Sequence, residues 1–289
     1  MRILLVVDKK GRVQYSRAEI IRKHTPEHDI DLYFTAGYTP KDIYDIVYYS
    51  HFSLFNKLKL RGKKGTYCSI TSHKCCEKIE ETIKIIKEFD RVSVNNNILF
   101  NIFSKHIDNL YYTPNGVDTK TFSFCDKDIT SNPVIGWVGN RDRSVKNYNE
   151  IVCPLVTAVP GVNFLILSTS KKDEMNDLKS QMEMVNFYHS LHYFIVTSSA
   201  EGTPNPALEA MSCGVPVIST YVGNMVDIIK NDENGYLVDT KLEAFIDILN
   251  SVKCLDGDIY SALRHYARKN IESWDWDIKI DSWKKFLIY

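Results

Sequence analysis

Two series of short β-branched runs, each interleaved with helical patterns, constrain this chain more than any other feature. Runs at 2–8 (RILLVVD), 29–35, 45–50, 65–71, 91–95 and 109–114 read as strands. A second set follows at 134–140 (VIGWVGN), 162–168, 193–198, 215–220 and 235–238. Ile79, Ile83 and Ile86 recur at helical spacing within 76–88, and further helices fit 147–156, 206–213, 223–230, 241–252 and 257–270. Alternation of this kind implies parallel sheets with crossover helices. The series breaks at TPNGVDTKTF (113–122), where Pro, Asn-Gly and polar residues mark a linker or inter-domain turn.

The expected fold is therefore α/β, with two Rossmann-like domains facing across a cleft and a reduced N-terminal one. Boundaries fall at 1–115 and 116–272, and the length of 289 residues suits two ordinary domains. Residues 273–289 carry Trp276, Ile280, Trp283 and Phe286 at three- and four-residue intervals. They predict an amphipathic helix that packs back towards the N-terminal domain. Between 168 and 193 only about one helix fits.

The chain holds 36 basic and 36 acidic residues, which argues against a dedicated nucleic-acid binder. The balance is uneven along the chain. Residues 1–120 carry 20 Lys/Arg and 14 Asp/Glu, whereas 121–289 carry 16 and 22, so the two domains meet different ligands. The seven cysteines show no zinc-site spacing and read as reduced thiols of a cytoplasmic protein. No apolar run reaches the ~20 residues that span a bilayer. The opening MRILLVVDKKG reads as a buried strand rather than a signal peptide.

The stretch SSAEGTPNPALEAMSCGVPVIST (198–220) concentrates the chemistry. It forms a strand–loop–helix–strand unit, and ligands of parallel sheets bind at the carboxyl ends of strands. Thr203 or Asn205 can cap the helix, Pro206 suits its start, and Gly214 suits its end. Free N–H groups at that helix tip, with the helix dipole, favour an anion. Glu209 sits one turn beyond Asn205 and can accept from vicinal hydroxyls such as those of a ribose. Glu201, in the loop, can accept from a second sugar. A phosphate between two polyols has the shape of a nucleotide-sugar. The bland alternative makes both glutamates ordinary helix-start charges.

Residues 198–238 resemble the donor-site signature of the retaining glycosyltransferases of family 4 (group 1), which have the GT-B fold. The Glu201-x7-Glu209 spacing, GVPVIST, NGYLV, the segment YYTPNGVDTKTF and VIGWVGNRDRSVKNY carry the resemblance over about 109–289. The resemblance implies a retaining, metal-independent transferase of carbohydrate biosynthesis, without a cofactor, that uses a UDP- or GDP-sugar donor. The acceptor would be a glycan, lipid-linked or small molecule. Glu201, His73 and Lys146 would be the catalytic set. Lys146 would contact the donor diphosphate, and Arg141 or Arg143 would replace the family arginine. Gly202, Thr203, Pro204 and Asn205 would face sugar and phosphate, and Glu209 would hold the ribose. Gly11 would stand for a glycine-rich loop near the phosphate. The pairs DKD (126–128) and DWD (275–277) are rejected as metal sites. A dinucleotide oxidoreductase is disfavoured, because no G-x-G-x-x-G follows the first strand. Two alternatives remain: a nucleotide-sugar hydrolase or epimerase of the same fold, or a non-catalytic partner of another transferase. The basic run KLKLRGKKG (57–65) suggests peripheral contact with an anionic membrane.

Overall fold

The structure is a computed structural model and describes residues 1–8, 13–34, 40, 42–169 and 180–289. The chain divides into two units, residues 1–115 with 276–289, and residues 116–275. The first unit is built on β1 (Arg2–Val7), β2 (Asp29–Phe34), β3 (Ile46–Tyr49), β4 (Gly65–Ile70), β5 (Arg91–Val94) and β6 (Leu110–Tyr112). These pair in the order β2-β1-β3-β4-β5-β6, all parallel. The second unit holds β7 (Val134–Asn140), β8 (Asn163–Thr169), β9 (Tyr193–Val196), β10 (Val217–Thr220) and β11 (Gly235–Val238). Their order is β11-β10-β9-β7-β8, again all parallel.

The central strands of both sheets are buried on two faces, which is why they read as nearly unbroken apolar runs. In β1, Ile3, Leu5 and Val7 enter one core while Leu4 and Val6 enter the other. In β9, Tyr193 and Ile195 face one core while Phe194 and Val196 face the opposite one. The helix Trp276–Leu287 lays Ile280, Trp283 and Phe286 on the first unit's sheet, and Trp283 Nε1 donates to Pro114 O at 2.9 Å.

The eleven strands of the described residues lie on the runs read from sequence, with every end within two residues. The helices differ more. The expected helix 76–88 is a 3₁₀ turn, His73–Lys78, followed by an α-helix over Ile79–Ile86. The expected helix 147–156 opens as a π-turn, Tyr148–Val152, before Cys153–Ala158 turns α-helical. The expected helix 223–230 shrinks to Met225–Ile228. Gly223 has φ +55° at its start, and at its end the Lys230 N–H is taken by Asn234 Oδ1 at 2.8 Å. No helix among the described residues is long and apolar enough to cross a membrane.

Candidate functional site

The site lies at the carboxyl edge of the second sheet, where β7 and β9 are neighbours. The chain leaves β7 at Asn140, makes a 3₁₀ turn over Ser144–Lys146, and passes through Asn147 in the left-handed region (φ +50°). Asn tolerates that conformation better than most side chains. Here it also uses its amide, since Asn147 Nδ2 donates to Thr197 O at 2.8 Å. Thr197 Oγ1 donates to Lys146 O at 2.7 Å and accepts from Trp137 Nε1 at 3.2 Å. Ser199 N–H donates to Val145 O at 2.8 Å. These bonds clamp the loop to the end of β9, and a single turn of π-helix follows, a feature frequent at functional sites. A Cβ on Gly139 would stand 2.8 Å from the Trp137 ring, so only glycine lets the strand end pass there.

The clamp delivers Lys146 to Glu201. Lys146 Nζ donates to Glu201 Oε1 at 2.6 Å, and Ser198 Oγ donates to the same oxygen at 2.8 Å. Both side chains are nearly out of water, at 14% and 11% exposure. Glu201 Oε2 makes no hydrogen bond among the described residues. A small pocket lined by Trp137, Lys146, Ser198, Pro204 and Pro206 opens beside the pair.

The helix Asn205–Ser212 follows the loop. Neither Thr203 nor Asn205 is its N-cap: that position falls on Pro204, which has no capping side chain. The expected free N–H groups at the tip are also absent from its first three positions. Asn205 N–H donates to Thr203 O at 3.0 Å, Pro206 has none, and Ala207 N–H donates to Pro204 O at 2.8 Å. The tight turn consumes its donors locally. Positive potential at this tip therefore comes from Lys146 and the helix dipole rather than from N–H groups at these three positions. At the far end Gly214 (φ +77°) closes a Schellman motif. Val215 N–H donates to Ala210 O at 2.9 Å, and Gly214 N–H to Met211 O at 3.0 Å.

On this helix Ala207, Leu208 and Met211 are fully buried and Glu209 is partly so. Glu209 Oε2 accepts from Tyr188 Oη at 2.7 Å, while Oε1 makes no hydrogen bond among the described residues. Burial pushes the Glu209 carboxyl up to about 7, against the opposing effect of the Tyr188 hydroxyl. Tyr188 itself, buried and beside that carboxylate, is held well above the usual phenol range.

Arg141 and Arg143 are exposed on the loop before Lys146 and form no ion pair among the described residues. His73 belongs to the first unit, where it opens the turn capped by Ser72, with Nε2 3.2 Å from Asn96 Oδ1. Gly11 lies outside the described residues. The sequence reading had not singled out Ser198, Asn147, Thr197 or Tyr188. Ser198 and Asn147 stood inside quoted motifs, whereas nothing local marked Thr197 or Tyr188.

Residues 162–273 match the family described as Glycosyl transferases group 1. The chain is 24% identical over 164 residues to the capsular polysaccharide biosynthesis glycosyltransferase CapM of Staphylococcus aureus. That match covers 50% of this chain and 43% of CapM, so the chain spans less than half of this curated relative. The fold superposes on HepE of Anabaena, solved with UDP-glucose, with a TM-score of 0.80 at 13% identity and 99% coverage of both chains. It also superposes on the sucrose-phosphate synthase of Thermosynechococcus elongatus, with a TM-score of 0.79 at 13% identity, covering 99% and 98% of the two chains. The fold is thus that of the GT-B glycosyltransferases, and residues 162–273 of the second unit are similar to the group 1 family.

Proposed function

We propose that the protein is a retaining glycosyltransferase that takes a sugar from a UDP- or GDP-sugar and passes it to a carbohydrate or lipid-linked acceptor without a catalytic metal. One observation carries the reading: at the strand ends of the group 1 unit, a nearly buried lysine and carboxylate are paired, and the carboxylate keeps one oxygen free. The donor would lie with its diphosphate on Lys146, its sugar hydroxyls on Glu201 Oε2 and its ribose on Glu209 Oε1. The leaving diphosphate gains negative charge as the glycosidic bond breaks, and a fixed cation in a site shielded from water stabilises that charge. Lys146 is such a cation. Glu201 orients the sugar rather than attacking it, and the leaving phosphate oxygen takes the acceptor proton on the same face. The crystal of HepE with UDP-glucose supports a nucleotide-sugar as the donor class.

The test has two stages. A panel of UDP- and GDP-sugars is screened for a rise in melting temperature, because specific binding stabilises the folded state by mass action. The stabilising donor is then followed by NMR with and without acceptor sugars. Transfer with unchanged anomeric configuration supports the reading. Donor consumption to free sugar, or to an epimer, would instead make the protein a hydrolase or epimerase. Binding without turnover in the presence of a full acceptor panel would leave a donor-binding partner protein.

A further inference from the structure

The helix Gln181–Ser190 contributes one polar group to the helix that carries Glu209, and the donor-site reading does not use it. Tyr188 is fully buried among apolar residues, with its ring edge-on to Phe122, Phe187 and Phe194. Its hydroxyl therefore has one fixed direction, and Glu209 Oε2 is its acceptor at 2.7 Å. A carboxylate held at one oxygen by a buried phenol loses its freedom to rotate. The other oxygen is then presented in one orientation.

We propose that Tyr188 is a positioning residue for Glu209, holding Oε2 so that Oε1 stays the acceptor for a ribose hydroxyl and the site selects ribonucleotides over deoxyribonucleotides. This rests on the donor-site reading above. The charge state follows the same geometry. Among the described residues, the titratable and charged groups around this turn are Tyr188, Cys213, Cys125 and Arg268. Burial pushes the Cys213 thiol up to about 12, so it stays neutral. The Arg268 guanidinium is committed to Ser212, Thr119 and Phe122. Tyr188 is thus the hydrogen-bond donor that favours the ionised form of Glu209 against its burial, the form that accepts at both oxygens.

Calorimetry on the full chain would measure UDP, GDP and their 2′,3′-dideoxy counterparts across pH. The wild type should bind one ribonucleotide at least about tenfold more tightly than its dideoxy form, the scale of a hydrogen bond to a charged group. That ratio should fall as pH is lowered through the Glu209 range near 7. In Tyr188→Phe the ratio should shrink by about tenfold at neutral pH, with dideoxy affinity unchanged, and recover as pH is raised to about 9. A variant that is merely loosened would weaken both nucleotides alike. A Tyr188→Phe ratio equal to the wild type's, while Glu209→Ala abolishes it, overturns the role of Tyr188 alone. A wild type that binds neither UDP nor GDP overturns the donor-site reading and this role with it. Should Tyr188→Phe fail to fold, the wild-type profile still decides, because a ratio that stays flat with pH also overturns the proposal.

Discussion

Lys146 Nζ sits 2.6 Å from Glu201 Oε1, across 55 residues of sequence, with Ser198 on the same oxygen. An ion pair this far out of water is held because each partner neutralises the other, and removing one leaves a buried charge alone. Under the proposed function, the pairing would tie the cation for a leaving diphosphate to the acceptor for a donor sugar.

Glu201→Gln and Lys146→Ala should each lower turnover by about a hundredfold or more, the loss typical of a charge-stabilising group. Steady-state kinetics with the stabilising donor checks this, and near-normal rates in either variant contradict the site. The two changes should not add in stability. Lys146→Ala alone strands Glu201, so the double variant should recover about 1–3 kcal/mol relative to the sum, read by denaturant titration.

Glu209→Gln should stabilise the unliganded protein at alkaline pH while weakening nucleotide binding. The folded-state carboxyl is raised to about 7, so its contribution to stability is complete below its unfolded value and is lost as pH rises through 7. The amide has no such cost. At about pH 8.5 the variant should melt roughly 2–5 °C above the wild type, with the gap closing near pH 5. Calorimetric scans at both pH values decide it.

His192 predicts the opposite trend in acid. Burial, with Lys127 and Arg264 nearby, lowers its pKa to about 4, and Nδ1 accepts from Val134 N–H at 2.9 Å. A depressed histidine must take up a proton to unfold, so stability falls as pH drops from the usual histidine range towards 4. His192→Asn should flatten the Tm–pH curve between those limits. An unchanged slope would show that other groups set the acid limit.

Gly223→Ala should injure the site as well as the fold. The residue has φ +55°, and a Cβ there would stand 2.5 Å from Gly202 O, the carbonyl next to Glu201. Strain of about 1–3 kcal/mol is expected, together with a higher donor KM because the Glu201 loop must move. A variant that loses stability but keeps its KM would place the strain elsewhere.

Lys57, Lys59 and Lys63 are exposed and form no ion pair among the described residues, whereas Arg61 pairs with Glu88 and Lys64 with Asp45. Charge reversal at the three free lysines should reduce co-sedimentation with anionic vesicles at low salt and leave neutral vesicles unaffected. Equal binding to both vesicle types would end the idea of membrane contact.

The strands, the Schellman-forming Gly214 and the Glu201–Glu209 spacing were legible in the sequence because each depends on residues close in the chain. Apolar runs flanked by turn formers need no distant partner to be read. Helix ends were less legible, since Asn147 bends its turn only because Thr197, 50 residues on, accepts its amide. The site followed the same division. Sequence alone determined which carboxylates stand near the helix tip. Tertiary structure alone decided that Lys146 and Ser198 take one oxygen of Glu201 and Tyr188 one oxygen of Glu209, and that the first helix turn keeps its own N–H donors. Hydrogen bonds are short and directional, so their partners are set by which elements the sheet brings together.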